Sequence, residues 1–112
     1  MTDLFTGAVV WVDLGDSLGR EQRGRRPAVV VSSRAHLAAS VELVTVLPCT
    51  SKYRGWPNHV ELRGETALGR PMYAMTEQIR TISRTRVHPT SGFVAIECLR
   101  HIARWVSAWH VT

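Results

Sequence analysis

The sequence has 112 residues, of which 45% are apolar, and a formal net charge of +5 from 14 Lys and Arg against 9 Asp and Glu. This length suits a single domain over residues 1–112, and the composition excludes a disordered or low-complexity chain. No apolar stretch approaches the roughly 20 residues that span a bilayer, and no signal-peptide pattern opens the chain, so we expect a cytoplasmic protein.

The first predicted elements are β-strands. Residues 7–15 (GAVVWVDLG) form a strand rich in Val and Trp. Residues 15–26 are polar and carry three glycines, which indicates a long mobile loop. Residues 27–33 (PAVVVSS) are predicted to form a buried strand. Pro27 is expected at its first position, because a proline has no N–H to pair inside a sheet. Residues 41–51 (VELVTVLPCTS) form the longest strand, with both faces covered.

The second half begins with extended runs at residues 58–64 and 69–86, separated by Gly and Pro turns. Between Ala95 and Trp109 the apolar residues recur at steps of three and four, as on one face of an amphipathic helix: Ile96, Leu99, Ile102, Ala103 and Val106. Trp105 and Trp109 are most simply core or dimer-packing residues. We predict an α+β, mostly β fold: a small, strongly curved antiparallel sheet or barrel closed by this helix.

Cys49 and Cys98 are the two cysteines, and neither has a Cys or His neighbour at metal-ligand spacing. The five histidines are scattered along the chain without an evident ligand pair. We therefore predict two reduced core thiols, no metal ion and no other cofactor.

Arginines crowd the start of the second predicted strand, in the segment GREQRGRRP, residues 19–27. Arg26 precedes the proline, which fixes the backbone, so its guanidinium leaves the rigid end of a strand and can contact a phosphate bidentately. We place Arg20, Arg23 and Arg25 on the loop, where they attract a polyanion. Taken alone, this segment could equally be a solvated turn.

Two further polar stretches follow predicted strands. We expect Pro48 to end the regular ladder, so that Thr50 and Ser51 present hydroxyls suited to a phosphate oxygen; the alternative is a turn that caps its own backbone. In TEQIRTIS, residues 76–83, the two isoleucines are core positions. Glu77 and Arg80 beside them form either part of a site or a structural ion pair.

In this order, EQRGRRP, LPCTS, TEQIRTIS and a final amphipathic helix resemble the MazF/PemK family of toxin endoribonucleases over nearly the whole chain. The resemblance implies an SH3-like barrel of the MazF/PemK/CcdB type. It implies that cleavage depends on Arg26 and Thr50 and that Glu77 has a catalytic or RNA-binding role. The chain has Arg20 where some members have His, and Met75 where some have Arg, so a mechanism that needs those groups does not transfer.

The resemblance implies a metal-independent mRNA interferase that cuts single-stranded RNA at specific sequences and leaves 2′,3′-cyclic phosphate and 5′-OH ends. Single strands are expected because an A-form duplex hides its base edges. It also implies a homodimer with the RNA groove at the interface, silenced by an acidic MazE-like antitoxin. We expect RNA contacts, with the two aromatic residues as stacking platforms, from Arg20, Gln22, Arg23, Arg25, Ser51, Lys52, Tyr53, Trp56, Gln78 and Arg80. Trp56, which precedes a proline, could equally be a packed turn.

Such cleavage must remove the 2′-OH proton, stabilise the charged phosphorane and protonate the leaving 5′-oxygen. We expect Arg26 to stabilise the transition state and Thr50 to bind the scissile phosphate. Glu77 is either the base or the group that orients Arg26. A second role for Arg26, delivery of the proton to the leaving 5′-oxygen, stays open, although a guanidinium has so high a pKa that it is a poor general acid.

Two other functions use the same features. A CcdB-like toxin poisons DNA gyrase by binding through the end of its last helix, and this chain ends in RWVSAWHVT. An RNA-binding regulator without cleavage would use the same basic groove. An Arg26→Ala variant separates these hypotheses, because it abolishes cleavage in an enzyme and leaves gyrase inhibition unchanged.

Overall fold

The computed structural model describes residues 4–14 and 24–109. Within these ranges it has two α-helices, α1 (Arg34–Ala39) and α2 (Ile96–Ala108), and two 3-10 turns, Thr76–Gln78 and Arg84–Arg86. Its strands are β1 (Ala8–Asp13), β2 (Arg25–Val30), β3 (Leu43–Thr50), β4 (His59–Glu61), β5 (Tyr73–Met75), β6 (Arg80–Ser83) and β7 (Val87–Phe93). None of the described helices is long and apolar enough to cross a membrane.

The strands form one antiparallel sheet in the order β4-β5-β3-β2-β1-β7, and β6 also pairs with β3. This confirms the mostly β fold with a C-terminal helix. The sheet stays open, however, because the described β4 and β7 lie at its opposite ends and do not pair. The predicted closure into a barrel is therefore incomplete in the described residues: no strand ladder joins β4 to β7, although the N–H groups of Phe93 and Ala95, at and just after the end of β7, donate to the carbonyl groups of Glu65 and Arg63, just after β4.

Side chains alternate across β1, β2 and β3, so each strand contributes to two cores. One core packs against α2 and includes Val9, Val29, Leu47 and Ile102. The opposite face buries Val10, Val30, Val44 and Val46. The prediction that the second and third strands are covered on both faces is confirmed. Cys49 and Cys98 are both free and buried, as predicted, and burial raises the pKa of each thiol.

Two prolines lie inside strands rather than at their ends, contrary to prediction. Pro27 is the third residue of β2, and β3 continues past Pro48 to Thr50. A proline removes only its own N–H from a ladder. β2 pairs with β3 only from Ala28 onward, and β3 passes to β5 after Pro48, so both strands tolerate the missing donor.

α2 spans the predicted segment, but its buried side differs from the predicted stripe. Cys98 and Ile102 are buried, whereas Ile96 and Ala103 are exposed. Four other elements were not predicted: α1, which buries no residue, β7, the 3-10 turn Arg84–Arg86, and the 3-10 turn Thr76–Gln78 that interrupts the extended run 69–86. This turn separates β5 from β6 and carries the acidic residue of the candidate site.

Candidate active site

Arg26 lies near the start of β2, and Thr50 is the last residue of the neighbouring antiparallel strand β3, so both lie at the same end of the strand pair. The ladder pairs Ala28 with Pro48, and continuing its register by two residues sets Arg26 opposite Thr50. Both residues are half-buried, and both line each of two cavities. The chain enters β2 through Gly24, whose φ of 77° lies in the left-handed region that favours glycine. The two residues expected to handle the phosphate thus stand at the boundary between the two cavities.

The first cavity has a volume of about 280 Å³ and a basic lining. Its ionisable lining groups other than the buried thiol of Cys49 are arginines, Arg25, Arg26 and Arg70, and the described lining contains no carboxylate. Trp11 and Met72 contribute to its apolar wall. This combination suits a ligand that has both an anionic group and a planar apolar part.

Arg25 lies in β2 and not on the preceding loop, which corrects its predicted position. Its register partner on β1 is Asp13, and its Nε lies 3.4 Å from Asp13 Oδ1. Asp13 also receives a hydrogen bond of 2.8 Å from His88 Nε2. The hydrogen bond from His88 is the largest cause that lowers the pKa of Asp13, and Arg25 adds to it. The strand start that carries Arg26 is therefore tied to both β1 and β7.

The second cavity, of about 460 Å³, has a mixed lining. Besides Arg26 and Thr50, it is lined by polar and aromatic groups that include Arg54, Trp56, His59, Glu77, Gln78 and Arg80. The Arg54 guanidinium lies 5.4 Å from the centroid of the Trp56 ring, within the range of a cation–π contact. Trp56 is 49% exposed, so part of its ring surface is open to a ligand.

Glu77 lies in the 3-10 turn between β5 and β6. Its Oε1 accepts a hydrogen bond of 2.8 Å from Asn58 Nδ2, and its Oε2 accepts one of 3.1 Å from His59 Nε2. In the described part of the chain it forms no ion pair with Arg80 or Arg26. The carboxylate is held by the start of β4 and not by an arginine.

These contacts set the ionisation of Glu77. Burial pushes the pKa of this carboxyl group upward, but the hydrogen bond from His59, together with its own backbone amide and Gln78, outweighs burial and holds the pKa below its ordinary value of 4.5. Glu77 is therefore ionised near neutral pH and is able to accept a proton.

The Thr50 hydroxyl accepts a hydrogen bond of 3.1 Å from the backbone amide of Lys52. The alternative expected for this segment, a turn that caps its own backbone, is therefore present. The bond uses the oxygen only as an acceptor, so the hydroxyl hydrogen remains able to donate to a phosphate oxygen. The local turn and a phosphate-binding role are compatible.

A family model described as PemK-like, MazF-like toxin of type II toxin-antitoxin system matches residues 6–109. The chain belongs to this family. "Endoribonuclease toxin MazF" of Escherichia coli K12 is 35% identical over 97 residues, which are 86% of this chain and 84% of the relative. A putative toxin of Mycobacterium tuberculosis is 39% identical over 86 residues, which are 76% of each chain. A crystal structure of MazF from Deinococcus radiodurans covers 97% of both chains at 25% identity, with a TM-score of 0.79.

In this MazF-like toxin only some of the other residues predicted to contact RNA line the two cavities. Ser51 lines the first cavity, and Trp56, Gln78 and Arg80 line the second. Lys52 and Tyr53 are exposed and line neither; the Tyr53 ring packs against Tyr73 with centroids 5.6 Å apart. Arg20, Gln22 and Arg23 lie outside the described residues.

The sequence pattern did not predict Trp11 and Arg70 in the first cavity, nor Asn58 and His59 beside Glu77. The segment WPNH contained a signal, because an amide and an imidazole follow the aromatic candidate Trp56 after a single proline. Only the pairing of β4 with β5 brings these side chains to Glu77. Among the described residues, no three His, Cys, Asp or Glu side chains group closely enough to hold a metal ion.

Proposed function

We propose that this chain is an endoribonuclease toxin that cuts single-stranded RNA at specific sequences without a metal ion. The observation that carries the proposal is the placement of Arg26 and Thr50 at the boundary of two cavities. A phosphate held by this pair has a cavity on each side for the adjoining nucleotides. The description of the Escherichia coli relative as an endoribonuclease agrees with this activity.

In the proposed reaction, Glu77 takes the proton from the 2′-OH, and the 2′-oxygen forms a bond to phosphorus. Arg26 donates two parallel hydrogen bonds to the non-bridging oxygens and balances the charge of the phosphorane, and Thr50 donates one more. The bond from phosphorus to the 5′-oxygen then breaks, and the leaving oxygen takes a proton from water. The products carry a 2′,3′-cyclic phosphate and a 5′-OH.

Sequence preference would come from the two cavities. In the second cavity, Gln78 offers an acceptor to the amino group of a base, and Trp56 offers a stacking surface. In the first cavity, Arg25 and Arg70 offer only donors, which suits a base edge rich in acceptors. The other predicted contact residues, Arg20, Gln22, Arg23, Ser51, Lys52, Tyr53 and Arg80, extend the RNA-binding surface in this proposal.

As a toxin of a type II toxin-antitoxin system, the chain would be silenced by an antitoxin. An acidic, MazE-like antitoxin fits, because it would compete with RNA for the same arginines. We place the protein in the cytoplasm as one toxin domain over residues 1–112, and as a homodimer. An apolar groove of about 370 Å³ beside Ile96, Leu99 and Ala103 offers a surface for the second copy.

The test is a cleavage assay in EDTA with a mixed-sequence single-stranded RNA, followed by mapping of both new ends. Cuts at one short sequence with cyclic-phosphate ends are expected. A matched RNA with 2′-deoxyribose at the mapped position should remain intact, since it lacks the attacking oxygen. Cleavage of this RNA, or cleavage that requires a divalent ion, would contradict the proposal.

A further inference from the structure

We infer that the end of α2 holds the Glu77 carboxylate in its catalytic position through a chain of hydrogen bonds that begins at Trp109. The inference rests on the proposed role of Glu77 in cleavage. It makes Trp109 and Thr76 positioning residues, since neither contacts the phosphate-binding pair.

The chain of hydrogen bonds has a fixed direction. Trp109 Nε1 donates to Thr76 Oγ1 over 3.1 Å, and Thr76 Oγ1 donates to the backbone carbonyl of Asn58 over 2.7 Å. An indole N–H can only donate and a carbonyl can only accept, so the Thr76 hydroxyl must do both. Thr76 is fully buried, so loss of the indole N–H would leave the acceptor side of its hydroxyl without this partner.

Asn58 connects this chain to the carboxylate. Its carbonyl accepts from Thr76, while its side-chain amide donates to Glu77 Oε1. Thr76 and Glu77 are consecutive residues of the same 3-10 turn, so the turn and the start of β4 bind each other at two points. A shift of Asn58 would therefore move the carboxylate.

His59 fixes the second carboxylate oxygen. Its side chain is only 3% exposed, and its ring lies beneath Trp56 with centroids 4.8 Å apart. Nε2 carries the hydrogen because its partner, the ionised Glu77, can only accept. Nδ1 is buried without a hydrogen-bond partner in the described part of the chain, so the bond from Nε2 to Glu77 and the packing against Trp56 keep the ring in this orientation.

Trp109 is a suitable anchor because α2 is fixed against the core by the buried Ile102 and by Trp105. Trp105 and Trp109 also contact each other, with ring centroids 5.9 Å apart. The indole of Trp109 therefore transmits the position of a rigid helix to the turn that carries Glu77. Proton transfer depends steeply on such placement, whereas phosphate binding by Arg26 and Thr50 does not involve this turn.

The experiment compares Trp109→Phe, which keeps an aromatic ring and deletes the N–H, with Trp105→Phe as the matched control. Single-turnover cleavage by Trp109→Phe should slow about tenfold, while affinity for 2′-deoxy-substituted RNA stays the same. The pKa of Glu77, followed by NMR of its carboxyl carbon, should rise toward its ordinary value. Trp105→Phe should keep both the wild-type rate and the wild-type Glu77 titration. Thr76→Val should repeat the Trp109→Phe result, whereas Thr76→Ser, which keeps the hydroxyl, should cleave at the wild-type rate.

Wild-type cleavage by Trp109→Phe with an unmoved Glu77 titration would overturn the inference. Equal losses in Trp109→Phe and Trp105→Phe, accompanied by equal drops in Tm, would also overturn it in favour of general packing. If the wild-type protein cuts no RNA, the proposed function fails. The Glu77 titration then still decides whether Trp109 positions the carboxylate.

Discussion

The Thr50 hydroxyl accepts its hydrogen bond from the amide of Lys52 at a distance of 3.1 Å, which orients the hydroxyl while leaving its hydrogen to donate. The bond fixes the oxygen at the point where β3 ends and both cavities meet. In the proposed reaction, this local turn interaction prepares the hydroxyl for a phosphate ligand before the ligand arrives.

Thr50→Val should reduce the cleavage rate about 100-fold to 1,000-fold, because it removes a donor aimed at the developing charge. Thr50→Ser keeps the hydroxyl and should retain most of the rate. Rapid-quench measurements with both variants check this, and equal rates for Val and Ser would show that the hydroxyl takes no part.

Glu77 should make stability depend on pH. Its pKa is lower in the folded protein than in the unfolded chain, so its stabilising effect is present above the ordinary value of 4.5 and is lost as the pH falls through the folded value. Urea unfolding should show the wild type more stable than Glu77→Gln at pH 7, with the difference disappearing on acidification. Glu65→Gln, at an exposed position, is the control and should match the wild type throughout. A Glu77→Gln deficit that stays constant down to pH 2 would contradict this account.

Trp56→Ala should weaken binding of single-stranded RNA more than Tyr53→Ala does. Trp56 lines the second cavity, whereas Tyr53 packs on Tyr73 outside both cavities. Loss of a stacked base costs about 1–3 kcal/mol, which corresponds to an affinity about 5-fold to 150-fold lower. Fluorescence anisotropy with uncleavable RNA measures the affinity of each variant. A larger loss of affinity for Tyr53→Ala would contradict the assignment of base stacking to Trp56.

Gly64→Ala should destabilise the fold far more than Gly69→Ala. Both glycines have positive φ, at 129° and 73°, but a Cβ at Gly64 would lie 2.5 Å from the amide nitrogen of Ala95, whereas the space at Gly69 is open. We expect about 1 kcal/mol for Gly69→Ala and about 3 kcal/mol or more for Gly64→Ala. Chemical denaturation measures the free energy of unfolding of both variants. Similar losses would show that the positive φ alone, and not the contact with Ala95, sets the cost of the added Cβ.

The sequence was sufficient to predict the two strands that carry Arg26 and Thr50, because both strands are long and strands that follow each other along the chain pair in space. The phosphate-binding role of the two residues stays a prediction. It was insufficient for the surroundings of Glu77. β4 and β5 have three residues each, too few to show a period, and the bonds from Asn58 and His59 depend on their register. Closure of the sheet could not be predicted from the sequence either, because whether the two edges meet depends on strand lengths and twist and not on any local pattern.

The most direct test of the account compares single-turnover cleavage and RNA affinity in Arg26→Lys and Arg26→Ala with those of the wild type. Arg86→Ala, at an exposed position outside both cavities, controls for the loss of one positive charge. Lys keeps the charge of Arg26 but not its planar pair of donors, so both Arg26 variants should cleave at least about 100-fold more slowly. Affinity for 2′-deoxy-substituted RNA should remain within about tenfold of the wild type, since many other arginines contribute to it. Wild-type cleavage by Arg26→Ala would contradict the account.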